Sequence, residues 1–93
     1  GLTTIVDDEE HLLGIFTDGD LRRLIDKQQG FDVNLPVSEV MTKKPSTISQ
    51  EARAVEALQQ LNLKKISQFV VVDDQNKVIG VISMHDLIQA GVN

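Results

Sequence analysis

Internal repetition is the feature that most limits what this chain can fold into. Moved along itself by 66 positions, the segment Thr4 to Leu24 falls on Val70 to Ala90 without a gap. Val6, Asp7, Asp8, Gly14, Asp20 and Leu21 then meet identical residues at Val72, Asp73, Asp74, Gly80, Asp86 and Leu87. Character is kept at Leu12/Val78, Leu13/Ile79, Ile15/Val81, Phe16/Ile82 and Thr17/Ser83. The chain therefore carries two copies of one small unit, and each copy reads the same way.

That reading is strand, acidic turn, return strand, helix. Thr3 to Val6 and Phe69 to Val72 are β-branched or aromatic runs, the composition of strands. Asp7-Asp8 and Asp73-Asp74 start turns, and Asp74-Gln75-Asn76 suits the tip of a tight hairpin. Leu12 to Phe16 and Val78 to Ile82 are the return strands, whose nearly continuous apolar character predicts burial on both faces. Thr17 and Ser83 each stand three residues before a carboxylate, Asp20 or Asp86, which is a capping-box-like helix start. Helices are predicted from about Asp18 to Gln28, stopped by Gly30, and from about Met84 to Ala90, stopped by Gly91.

Between the copies, Phe31 to Leu35 reads as a linker, Pro36 to Met41 as a helical turn and Pro45 to Ile48 as a short strand. Ser49 is expected to cap a helix from about Gln50 to Leu63, with Ala54, Val55, Leu58 and Leu61 on one buried stripe. The second unit is then strand–helix–strand–strand–helix. The first has only strand–strand–helix, its counterpart of Val37 to Ile66 being expected before Gly1. The predicted division is 1–30 for the first, incomplete unit, 31–36 for a linker and 37–93 for the second unit.

Composition narrows the function classes. Nine Lys and Arg against fourteen Asp and Glu leave a net charge of −5, which argues against nucleic acid or an anionic membrane as the main partner. Cysteine is absent, so disulfides, zinc ribbons and thiol catalysis are excluded, and a reducing, cytoplasmic setting fits. His11 and His85 are the only imidazoles, too few for a transition-metal site built on histidine. No apolar run approaches the roughly 18–20 residues of a membrane span, and no targeting leader is expected. At 41% hydrophobic residues the chain can bury a core, and with three Phe as its only aromatics that core is aliphatic.

Gly14-Ile15-Phe16-Thr17-Asp18-Gly19-Asp20-Leu21 and Gly80-Val81-Ile82-Ser83-Met84-His85-Asp86-Leu87 close two units of this kind, and Val37-Ser38-Glu39-Val40-Met41 opens the second. In these motifs the chain resembles a tandem pair of cystathionine-β-synthase (CBS) domains, a Bateman module. The resemblance implies an α/β fold in which two β-α-β-β-α units, each with a small, mostly three-stranded sheet, pack through their sheets about a pseudo-twofold axis. The first unit would lack its leading strand and helix. Gly14 to Arg23 and Met84 to Val92 are further similar to the C-terminal CBS pair of D-arabinose 5-phosphate isomerases, sugar isomerases whose chemistry resides in a separate SIS domain. This implies a regulatory or assembly appendage that is not itself the catalyst, with a nucleotide or nucleotide-sugar such as CMP-Kdo as the expected effector; the alternative reading is a ligand-free oligomerisation module, or an adenine-nucleotide sensor of another enzyme. It also implies self-association into dimers or larger assemblies, the SIS domain as a partner in the full-length protein, and no resident cofactor.

The Thr/Ser-x-x-Asp element has two readings. As structure, the Thr17 or Ser83 hydroxyl accepts from an N-terminal helix N–H, worth about 1 kcal/mol. As a site, the same helix start receives a phosphate and Asp20 or Asp86 accepts from a ribose diol, the roles these positions have in nucleotide-binding CBS domains. The second site would be walled by Thr47, Ile48, Ser67, Gln68 and Phe69, with Ser83, His85 and Asp86 on its motif. The first, incomplete site would hold Thr17, Asp20, Arg22 and Arg23; the two arginines are either phosphate ligands or solvated residues beside Asp26. Lys43, Lys44, Lys64 and Lys65 are the nearest cations to the second cleft, or plain surface lysines. Ser83, His85 and Asp86 crowd one helix start and point apart, so they do not form a catalytic triad. Asp7 to Glu10 and Asp73-Asp74 read as solvated turns and not as a metal site.

Overall fold

A computed structural model describes residues 1–26 and 34–91 of the chain. The repeat reappears in it as two hairpins with one geometry. Strand β1 (Leu2–Val6) pairs antiparallel with β2 (Leu12–Thr17), from Leu2 opposite Thr17 to Val6 opposite Leu12. The later hairpin is built from β5 (Gln68–Val72) and β6 (Val78–Ser83), from Gln68 opposite Ser83 to Val72 opposite Val78. Even the irregularity recurs, between Ile5 and Val6 and between Val71 and Val72.

The shared aspartates explain the shared turns. Asp7 Oδ1 accepts from the backbone N–H groups of Glu9 and His11 at 2.8 and 2.9 Å, and Asp73 Oδ1 from those of Gln75 and Lys77 at 2.8 and 3.0 Å. Each carboxylate thus stands in for the backbone of the turn, as Asx turns do. The bend is completed by a residue with positive φ, Glu10 at 72° and Asn76 at 63°. These hydrogen bonds, led by that from His11, hold the Asp7 carboxyl below its usual range against the opposing effect of desolvation.

The chain groups in space as Gly1–Pro45 and Ser46–Asn93. In the first group helix α1 (Asp18–Asp26) follows β2, and a 3-10 turn at Val37–Glu39 leads into a two-residue strand, β3 (Thr42–Lys43). That turn lies within the predicted helical turn, whereas β3 was not foreseen. It pairs antiparallel with β2, Gly14 opposite Lys43 and Ile15 opposite Thr42, and gives the order β1-β2-β3. The predicted end of α1, with Gly30 as its stop, and linker residues 31–33 lie outside the described residues.

The second group opens with β4 (Thr47–Ser49), continues through α2 (Ala54–Lys64), β5 and β6, and closes with α3 (Met84–Gln89). Its sheet order is β4-β5-β6, with β4 parallel and β6 antiparallel to β5. Phe69, Ala57, Leu61 and Leu87 form the core, backed by Ile48, Leu58, Ile66, Ile82 and Met84, so it is aliphatic as expected except for the phenylalanine buried in it. Helix α3 ends as expected, with Gly91 at φ 87° in a conformation suited to glycine.

Three sequence expectations are corrected here. Ser49 does not cap α2. It is the last residue of β4, opposite Val72, and its Oγ accepts from Glu51 N at 3.0 Å in the turn that follows. Helix α2 starts only at Ala54, after Arg53. Its buried stripe centres on Ala57 and Leu61, while Ala54 is exposed. The return strands are not covered on both faces either. Leu13, Ile79 and Val81 remain about half exposed, because side chains alternate across an antiparallel hairpin and in the second group both helices pack on the face that holds Phe69 and Ile82. It is the middle strand, β5, that is buried on both sides, through Phe69 and Val70.

Candidate functional site

The second motif is assembled where β5 begins and β6 ends. Gln68 lies opposite Ser83, and Met84 N donates to Ser67 O at 2.9 Å, so Ser67, Gln68 and Ser83 share one end of the sheet. Ser83 immediately precedes α3, in extended conformation, and its hydroxyl accepts from Asp86 N at 3.0 Å. The capping half of the Ser-x-x-Asp reading is therefore present. The Asp86 carboxylate is exposed, and no donor reaches it among the described residues. His85 is exposed beside it.

On the other edge of β5, Thr47 and Ile48 lie opposite Val70 and Val71. Thr47 is exposed, whereas Ile48 turns toward the core. The Phe69 ring is 1% exposed, so it can shape a site only from behind. Lys64 Nζ stands 5.5 Å from its centroid, in the range of a cation–π contact. A cavity of about 160 Å³ opens near the start of α2, lined by Ile48, Ala52, Ala54, Ala57, Val71 and Ile82 among others. It is mainly apolar and includes neither Ser83 nor Asp86.

The first motif has the same sequence pattern and a different fate. Thr17 Oγ1 accepts from Asp20 N at 3.1 Å, and Asp20 Oδ2 accepts in return from Thr17 N at 2.9 Å and Thr17 Oγ1 at 3.1 Å. This is a reciprocal capping box. Asp20 Oδ1 accepts from Thr42 Oγ1 on β3 at 2.8 Å and from the Arg23 guanidinium. Asp20 is 5% exposed. Burial pushes its carboxyl upward, but the hydrogen bonds from Thr42, Thr17 and Arg23 outweigh burial and hold it below the usual carboxylate range. Arg23 is thus engaged by Asp20; Arg22 is exposed and acts electrostatically on Asp18. Thr42 escaped the sequence reading because it lies 22 residues from Asp20 and reaches it from another strand.

Comparison with known proteins matches the family model for the CBS domain to residues 37–93. The chain belongs to the CBS-domain family. Among curated relatives, arabinose 5-phosphate isomerase KdsD of Francisella tularensis is 44% identical over 86 residues, covering 92% of this chain and 26% of the relative. The enzyme of the same name from Pseudomonas aeruginosa is 44% identical over 93 residues, covering 99% and 28%. The chain therefore spans about a quarter of the length of the curated relatives it matches. Among solved structures, CBSX2 in complex with AMP is 26% identical with a TM-score of 0.77, over 97% of this chain and 70% of that one. The α/β architecture with two three-stranded sheets is thus that of CBS-domain pairs.

The remaining polar features of this CBS module offer less. Of the four lysines expected near the second cleft, Lys43 and Lys44 belong to the first spatial group and Lys64 and Lys65 to the second. His11 Nδ1 lies 3.1 Å from Asp7 Oδ2, a contact within the turn. Among the described residues no cluster of His, Asp and Glu is arranged to hold a metal ion, and no helix is long and apolar enough to cross a membrane.

Proposed function

We propose that this chain is the regulatory and assembly module of a cytoplasmic arabinose 5-phosphate isomerase, and that it binds a nucleotide or nucleotide-sugar effector at its second motif. Interconversion of D-ribulose 5-phosphate and D-arabinose 5-phosphate is assigned to the SIS domain of the longer protein, on the route to Kdo and lipopolysaccharide. The observation that carries the reading is the exposed Asp86 carboxylate at the helix start capped by Ser83, which shares its end of the sheet with Ser67 and Gln68. An ionised carboxylate is an acceptor only, which suits two ribose hydroxyls. CMP-Kdo, the activated end product of the route, is the proposed effector, since it would report pathway output to an early step. An adenine nucleotide is the second reading, favoured by the AMP complex of CBSX2.

Calorimetric titration of the chain with CMP-Kdo, CMP and AMP tests this directly. Saturable binding of at least one is expected, and the order of affinities decides between the two effectors. Heats indistinguishable from dilution for all three would instead favour a module that only assembles subunits.

The assembly role rests on apolar helix surface. Leu63 and Ile88 are 74% and 55% exposed on α2 and α3, and Ile25 is 62% exposed on α1. Isolated exposed apolar residues are ordinary, but with Leu21 on α1 also 40% exposed, four large ones on the α-helices among the described residues favour cover by a second copy. Light scattering at high protein concentration is expected to give at least the dimer mass, and a monomer mass would remove this part of the proposal.

A further inference from the structure

Two aspartates at equivalent positions of the repeat have opposite surroundings. A carboxylate accepts about four hydrogen bonds. Asp20 receives four, from Thr17 N, Thr17 Oγ1, Thr42 Oγ1 and Arg23, and it is buried. Its acceptor capacity is filled from within the spatial group Gly1–Pro45. Asp86 receives none among the described residues and is exposed.

The glycines of the two motifs differ in the same sense. A Cβ on Gly14 would stand 2.6 Å from Met41 Sδ and 2.7 Å from Thr42 O, so β3 can lie against β2 only because residue 14 has no side chain. Among the described residues a Cβ on Gly80 would meet nothing within 4 Å. Gly14 admits β3, and β3 delivers the Thr42 hydroxyl to Asp20.

We propose that Gly14, Thr42 and Asp20 form a latch that closes the first Thr-x-x-Asp motif to a sugar diol, so that of the two motif aspartates Asp86 is the one left to receive ribose. The latch also ties β3 to the start of α1 across 22 residues of sequence. A ribose at the first motif would have to displace the Thr42 hydroxyl or the Arg23 guanidinium and would gain only what they lose. Thr42 is then the residue that separates a structural motif from a binding motif. The second half of this inference rests on the function proposed above; the first half does not.

The test uses the full chain, with Asp20→Asn, Thr42→Val and the double variant. Urea unfolding is expected to show each single change destabilising and the pair non-additive, by at least about twofold in the unfolding constant. Thr42→Ser, which restores the hydroxyl, should recover most of the loss. Where AMP binds, its affinity should stay within about twofold in Asp20→Asn. Additive unfolding effects, or a tenfold loss of AMP affinity in Asp20→Asn with unfolding unchanged, would overturn the latch. If AMP does not bind the unaltered chain, the function proposed above loses its adenine reading, and the unfolding cycle still decides the latch by itself.

Discussion

Phe69→Ala is expected to remove about 3–5 kcal/mol of stability, the range for truncating a buried phenylalanine. Phe69 is 1% exposed and sits where β5, α2 and α3 meet, against Ala57, Leu61 and Leu87. Its neighbours are fixed by two helices and a sheet, so the space left behind would close only in part. A small domain has about 5–15 kcal/mol in total, so the variant should be largely unfolded at a temperature where the unaltered chain is folded. The loss should appear in thermal or urea unfolding of the purified chain. Gln60→Ala is the matched control. Gln60 is exposed on the same helix that supplies Leu61, and the change should alter stability by no more than about 0.5 kcal/mol. A Phe69→Ala effect below about 1 kcal/mol would mean that the second unit is not held by this core.

Much of this architecture was legible because the chain states it twice. Two hairpins with one pattern of apolar residues and one pair of turn aspartates were readable without coordinates, since alternation and Asx turns are local properties. What escaped depends on contacts distant in sequence. Strand β3 is two exposed residues long, and only the glycine opposite Lys43 makes it a strand. Ser49 resembled a helix cap because a serine before a helical pattern usually is one. Here the ladder runs on past it, with Gln50 N donating to Val72 O at 3.0 Å, and so Ser49 keeps extended backbone. Coverage of the return strands was overestimated because an apolar run shows hydrophobicity without showing which face a helix will take.

The candidate site divides along the same line. Sequence placed Thr17 with Asp20 and Ser83 with Asp86 correctly, since three residues at a helix start are neighbours by local geometry. It offered no way to distinguish the two carboxylates. The difference between them comes from Thr42, which reaches Asp20 from another strand. Arg23 was similarly ambiguous. Its place one turn after Asp20 allowed either a phosphate ligand or an ion pair, and the pair is what forms.

Asp86→Ala is accordingly the substitution expected to cost the most in ligand affinity while costing little in stability. The side chain is exposed and the capping bond uses its backbone N–H, which the alanine retains, so unfolding should change by no more than about 0.5 kcal/mol. Affinity is a separate matter. Removing a charged acceptor from a bound hydroxyl pair costs roughly 1.5–3 kcal/mol, or about 10- to 150-fold in Kd. Ser83→Ala should behave differently, because it deletes the cap as well as a hydroxyl at the site and so lowers stability by about 1 kcal/mol along with any loss of affinity. Calorimetry with whichever of CMP-Kdo or AMP binds the unaltered chain, run beside unfolding curves for both variants, separates the two effects. Unchanged affinity in Asp86→Ala would move the ligand away from the second motif and leave Ser83 as a helix cap alone.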